Sequence, residues 1–238
     1  MLIVKKKISG FQLKQIAFIS MIIDHFAVIF LYRYLYEGNS YLNFLYYIFR
    51  AIGRISFPVF SFLLVEGSIQ TSNRRRYLIR LLLFALISEI PYDWGTTGIW
   101  INFNYQNIFF LFFLGLLVIC LFEELQKIFP VTICFLLKFM FALGSMFLAE
   151  CIRVDYGYVG ILIILLMYLL NNKNLSIIFS CLILTWLLKF EVFLFLAVIP
   201  ILLYDGKRGK YNKYLFYVAY SVQFLVLRVL YSIILLFW

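Results

Sequence analysis

The chain has 238 residues, of which 65% are hydrophobic, 21% aromatic and only 13% charged, whereas a soluble domain carries about 25% charged and 45–50% apolar residues. No core of this size can hide that much apolar side chain from water, which excludes a soluble enzyme, a secreted domain and a disordered tail. The net charge of +10, from 21 Lys and Arg against 11 Asp and Glu, sits mostly in short gaps between apolar runs, the pattern of membrane topology and not of nucleic-acid binding.

A helix crosses the hydrocarbon core with about 20 residues. Apolar runs of roughly that kind fall at 13–32, 42–69, 77–94, 106–123, 131–150, 156–171, 174–188, 190–204 and 213–237. They predict an all-α, polytopic integral membrane helix bundle of about nine transmembrane helices, forming one transmembrane domain over 1–238. The first run follows Lys5, Lys6 and Lys7 as a signal peptide would, but it contains Asp24 and His25 and lacks a small-x-small cleavage site, so it is expected to be retained. The second run is long enough for its first turns to lie along the interface. The seventh and eighth are short, and Lys189–Glu191 between them reads as a break or a re-entrant kink.

Alternating the gaps from a cytoplasmic N-terminus puts Lys5, Lys6, Lys7, Arg74, Arg75, Arg76, Lys127, Lys173, Lys207, Arg208, Lys210 and Lys213 inside, and only Arg33, Arg153 and Lys189 outside. That bias is the one inner loops carry. The expected location is therefore a multi-pass cell-membrane protein with Trp238 on the outer side. Cys120, Cys134, Cys151 and Cys181 lie in or beside apolar runs without metal-ligand spacing, and read as small apolar residues. The partners expected are the lipid bilayer and a second copy in a homo-oligomer; no nucleic acid and no metal are expected.

Several ionisable groups remain inside the runs, where a charge near the helix middle costs about 2.5–3.5 kcal/mol. Lys14, Lys138, Arg228 and Glu150 read as structural pairs or snorkelling ends. The others converge in depth. Asp24 and His25 lie about 16 Å into the first run, near the midplane. Arg50 and Arg54 share a face of the second helix, Glu89 and Asp93 follow in the third, and Gln106 and Asn107 open the fourth. Adjacent residues diverge by about 100° on a helix, so Asp24 is expected to pair with Arg50 or Arg54, leaving His25, the lone histidine, to face a cavity as a neutral base. Glu66 is expected to order the basic loop after it. Arg74, Arg75, Arg76 and Arg80, with Gly206-Lys207-Arg208-Gly209, read either as inside-positive anchors or as a phosphate site.

The run from Leu13-Lys14 to Ile23-Asp24-His25 resembles the opening of the TraX family of membrane proteins. So do Arg50-Ala51-Ile52-Gly53-Arg54-Ile55-Ser56-Phe57-Pro58, Val65-Glu66-Gly67, Ser88-Glu89-Ile90-Pro91-Tyr92-Asp93, Gln106-Asn107-Ile108-Phe109-Phe110, Asp155-Tyr156-Gly157-Tyr158-Val159-Gly160 and Tyr204-Asp205-Gly206-Lys207-Arg208-Gly209. The resemblance runs along essentially the whole chain. It implies a relation to the acyltransferase-3 group and a membrane acetyltransferase, taking acetyl from cytoplasmic acetyl-CoA, its co-substrate, to an amine or hydroxyl acceptor outside, a peptide N-terminus or a cell-surface glycan.

On that reading the catalytic set is His25, Asp24, Arg54, Glu89 and Asn107. His25 is the general base, Arg54 or Asn107 the oxyanion donor, and Asp24 and Glu89 hold the arginines. Arg50, Asp93, Gln106 and Gln223 bind substrate, while Arg74, Arg75, Arg76, Arg80, Lys207 and Arg208 bind the coenzyme phosphates. One departure is expected to matter. Relatives resemble one another in a histidine of the last run, where this chain has Gln223 within Tyr220-Ser221-Val222-Gln223, a side chain that hydrogen-bonds but takes up no proton at neutral pH. Two other readings stay open: a solute- or proton-coupled transporter or flippase using the same buried charges, and a catalytically silent partner protein.

Overall fold

The computed structural model describes residues 7–35, 39–170, 172–188, 192–210 and 212–236, and the break expected at Lys189–Glu191 lies outside them. All regular structure among the described residues is helical. In chain order come α1 (Gly10–Phe26), a π turn (Ala27–Leu31), a 3-10 turn (Tyr32–Leu35), α2 (Ser40–Gly53), α3 (Ser56–Gln70), α4 (Arg74–Thr97), α5 (Ile108–Ile128), α6 (Val131–Cys151), α7 (Gly157–Leu169), α8 (Lys173–Leu187), a second 3-10 turn (Val192–Ala197), α9 (Val198–Leu202) and α10 (Leu215–Leu236).

Among the described residues five stretches are long and apolar enough to cross a membrane: Gly10–Leu31, Ser40–Gln70, Ile108–Ile128, Val131–Cys151 and Leu215–Leu236. Three further apolar helices, Gly157–Leu169, Lys173–Leu187 and Phe193–Leu202, are shorter. At 1.5 Å per residue the 13 residues of α7 reach only about 20 Å, short of a core of about 30 Å. Helix α4 has the length, 24 residues, but carries Arg74, Arg75, Arg76, Arg80, Glu89 and Asp93. Among the described residues five stretches therefore meet both tests, and the expected count of about nine is not reached by them.

The long second run divides in two. Pro58 has no N–H to give the carbonyl four residues back, that of Arg54, and α2 ends at Gly53 with α3 restarting at Ser56, whose hydroxyl donates to Gly53 O at 2.8 Å. Likewise the expected run 190–204 is not one helix but a 3-10 turn followed by the five-residue α9.

The chain forms two compact units, and α3 and α4 contribute residues to both. The first comprises 1–60, 90–102 and 188–238. In it α1 packs on α2, the π turn and α10. Helix α1 starts where Ser9 and Gln12 cap each other's backbone, and its first N–H, from Gly10, donates to Lys207 O at 2.8 Å. Helices α1 and α2 approach closely at Gly53: a Cβ there would fall onto the Asp24 carboxylate, and Ser20 Oγ donates to Ile52 O at 2.6 Å beside it. Gly98, at φ +80°, ends α4 in the left-handed conformation that glycine adopts without strain, and the Arg228 guanidinium occupies the space a side chain there would need.

The second unit comprises 61–89 and 103–187, with α5, α6, α7 and α8 packed in sequence and α5 also against α7. Leu111, Leu116, Ile119, Ile161, Ile163 and Ile164 are fully buried at its centre. Helix α6 is the opposite case: only 11% of its most apolar window is buried, and Val131, Phe135, Met140 and Phe147 stand exposed. Such a helix is apolar all round because lipid, not protein, covers it.

Candidate functional site

In the first unit the middle of α1 carries adjacent polar residues with different fates. Asp24 leans to α2 and accepts from Arg50 Nη1 at 2.5 Å, one of the two pairings expected of it. His25 turns to α10. Its ring lies 4.4 Å from that of Phe224 and 6.5 Å from that of Tyr220, both buried. Tyr92 closes on the far side of Phe224, edge-on at 5.3 Å. On the side turned to α10 the imidazole thus meets an aromatic wall. The Gln223 side chain, only 6% exposed, comes up to the imidazole. Yet neither of its amide atoms, nor Nδ1 of His25, completes a hydrogen bond of good geometry. Directly after Phe26 the helix widens into the π turn Ala27–Leu31, a distortion that concentrates at functional sites.

Other expected residues of this unit also contribute bonds to the fold. Arg54 caps α2, its N–H donating to Arg50 O at 3.1 Å. Asp93, 3% exposed, accepts from Asn102 N at 2.7 Å and so ties down the 98–102 loop, over which Trp94 and Trp100 stack at 4.8 Å. Lys207 and Arg208 are exposed in a loop whose backbone caps α1.

In the second unit Asn107 is the N-cap of α5. Its side-chain oxygen accepts from Phe109 N at 3.0 Å, and its amide nitrogen donates to Ala85 O and to Glu89 Oε2. Both amide protons are therefore engaged, and Asn107 has none left for an oxyanion. Glu89 Oε2 correspondingly accepts from both the backbone and the side-chain amide of Asn107. Gln106 pairs its backbone with Arg153 and Asp155; its side chain lines a cleft of about 470 Å³ with Phe103, Phe110, Cys151, Ile152 and Arg153.

The four basic residues of α4 also separate. Arg74 donates to Ser68 O at 2.8 Å and pairs with Glu123, whose other oxygen accepts from Tyr168 Oη at 3.2 Å. Arg80 lies over the Tyr77 ring at 5.0 Å. Arg75 and Arg76 are exposed. Glu66 does not order this loop: it accepts from Lys173 at 2.6 Å and Gln70 at 2.5 Å, because the carboxylate on α3 meets the start of α8.

The expected residues thus fall into two separate groups, Asp24, His25, Arg50 and Gln223 in one unit and Glu89 with Asn107 in the other. The ordered motifs that pass through both are those of one family, whose model, described as TraX protein, matches residues 9–231. The chain belongs to the TraX family. A segment of 86 residues is 41% identical to the probable fimbrial assembly protein FimC, serogroup H1, of Dichelobacter nodosus, which is 36% of this chain and 32% of that relative. The match spans about a third of that relative's length. No solved structure matches the chain.

Within this TraX-family membrane protein, Gly53, Tyr220, Phe224 and Glu123 escaped the sequence reading. Gly53 stood inside the Ala51-Ile52-Gly53-Arg54 motif, where a glycine among large residues marks close approach. Nothing local marks the π turn.

Proposed function

We propose that this TraX-family protein is a membrane-embedded acetyltransferase, moving acetyl from acetyl-CoA on the cytoplasmic side to an amine or hydroxyl on the outer side, the acceptor being a peptide N-terminus or a cell-surface glycan. His25 is the general base. The acceptor nitrogen or oxygen attacks the thioester carbonyl carbon while its proton passes to the imidazole. The tetrahedral intermediate then collapses, the carbon–sulfur bond breaks, and coenzyme A leaves as the thiol with the proton that His25 took. Arg75 and Arg76, exposed at the start of α4, take the coenzyme phosphates by paired guanidinium hydrogen bonds.

The observation that carries the reading is the buried His25 Nδ1 with no hydrogen-bond partner, beside an Asp24 already neutralised by Arg50. A neutral imidazole whose Nδ1 completes no structural hydrogen bond retains there the lone pair that proton abstraction needs. Protein reconstituted in lipid nanodiscs, given acetyl-labelled acetyl-CoA and a synthetic fimbrial N-terminal peptide or amino sugar, should release coenzyme A and label the acceptor. His25→Ala should lower transfer about 1,000-fold or more with the melting temperature kept. Undiminished transfer by that variant removes His25 from the reaction.

A catalytically silent assembly partner is the second reading, and the name of the Dichelobacter relative is what favours it. It expects no release of coenzyme A from any acceptor, together with loss of surface fibres on deletion and their full recovery with His25→Ala.

A further inference from the structure

We infer that Gln223 is a catalytic residue, its amide N–H donating to the acyl oxygen as negative charge develops there while His25 Nδ1 takes the acceptor's proton. This rests on the acetyl-transfer reading and assigns the oxyanion donor that reading requires.

The inference begins from a count of hydrogen bonds. A primary amide brings two donor hydrogens and a carbonyl acceptor, and a neutral imidazole brings an acceptor nitrogen. At α10 and α1 both Gln223 amide atoms and His25 Nδ1 are buried, and although Gln223 comes up to the imidazole, none of the three completes a hydrogen bond of good geometry. Leaving such a group buried and unmet costs about 1–3 kcal/mol, and apolar surroundings offer no water to recover it. Ser61, Ser180 and Thr185 also have a buried hydroxyl without a partner, but each is a rotor on a helix with its own carbonyls in reach. The imidazole and the amide have only each other in place of such a carbonyl, and their contact falls short of a hydrogen bond of good geometry.

A guest that satisfies both residues must accept from Gln223 Nε2 and donate to His25 Nδ1. The reacting pair does both: a thioester oxygen accepts, and an attacking amine donates. As the amine nitrogen adds to the carbonyl carbon, the carbon–oxygen π pair moves onto oxygen, and its bond to Nε2 strengthens where water is excluded. When the carbonyl re-forms and the carbon–sulfur bond breaks, that bond weakens again and His25 returns the proton to sulfur. Gln223 thus stabilises the transition state more than the bound substrates, the condition for raising kcat.

The test is Gln223→Met, of similar length and without hydrogen-bonding groups, in nanodisc-reconstituted full-length protein. The expected result is a kcat lower by about 100-fold, KM for acetyl-CoA within about threefold, and a melting temperature equal to or above that of the parent, because buried unpaired groups have gone. Gln223→His, which keeps an N–H donor, should recover most of the loss. A Gln223→Met kcat within threefold of the parent, as a mere water-filled gap would give, overturns the inference while the transfer reading stands. So does a loss of kcat matched by a lower melting temperature and not rescued by histidine. Parent protein that transfers no acetyl at all removes both.

Discussion

Around Glu123 the hydrogen bonds are made: one carboxylate oxygen takes Arg74, the other takes Tyr168, and Arg74 also donates to the Ser68 carbonyl. Around His25 they are not, with an imidazole nitrogen and a whole amide left unpaired among aromatic rings. Both regions hold buried polar groups on apolar helices, and in both the alternative of plain hydrophobic packing was available. A closed network rigidifies and specifies one arrangement. An open one lowers stability and persists where its unpaired groups serve a guest or a reaction. If the proposed transfer takes place, this contrast favours α1 and α10 as its seat and the Arg74–Glu123–Tyr168 cluster as framework.

Gly53→Ala should break that contrast most strongly. The added methyl falls onto the Asp24 carboxylate, so α2 must move off α1 and the Asp24–Arg50 pair must open. Overpacking and the lost, partly exposed pair together cost about 3 kcal/mol. Thermal unfolding should show a correspondingly lower midpoint, and acetyl transfer should fall with it because His25 loses its seat. A variant as stable as the parent would show that α1 and α2 have room to separate, and that Gly53 does not set the site.

Glu123→Ala is expected to act on stability alone. It leaves the Arg74 guanidinium with one backbone partner and orphans Tyr168 Oη, a loss of about 1–2 kcal/mol for groups that keep some water access. Transfer per folded molecule should stay within about twofold of the parent. A selective loss of kcat at unchanged midpoint would move the chemistry to the second unit and reverse the assignment of the two regions.

The sequence exposed the membrane character, the helical class and the ends of the uninterrupted helices: the run expected at 131–150 is Val131–Cys151, and that at 174–188 is Lys173–Leu187. Apolar runs bounded by polar gaps carry that information locally. The Asp24–Arg50 pair was also legible, because depth along two helices limits which charges can meet. The partners of Arg74 and Glu66 were not, since they sit 49 and 107 residues away, and which of three consecutive arginines turns inward depends on packing that no local pattern encodes. The division of the second run was readable in principle from Pro58, but continuous hydropathy across Arg54 and Ile55 concealed it. The engagement of Asn107 was missed for a related reason: a polar residue opening a helix reads equally as a cap or as a ligand, and only the Ala85 carbonyl and Glu89 opposite it decide.

The smallest effect on the fold, and the sharpest division between neighbours, is expected of Arg75. It and Arg74 differ by one position and carry the same guanidinium, yet Arg74 is bound into the Glu123 cluster while Arg75 is exposed. Arg75→Ala should therefore change stability by no more than about 0.5 kcal/mol, where Arg74→Ala should repeat the loss expected of Glu123→Ala. If Arg75 meets the coenzyme phosphates, its removal should raise KM for acetyl-CoA severalfold with kcat kept. That increase should shrink in high salt, because an exposed guanidinium–phosphate contact is screened within about 10 Å at 0.1 M ionic strength. A KM unchanged at low salt would instead leave Arg75 as an inside-positive anchor, and coenzyme binding would have to be sought at another cluster, with the exposed Lys207 and Arg208 the next to test.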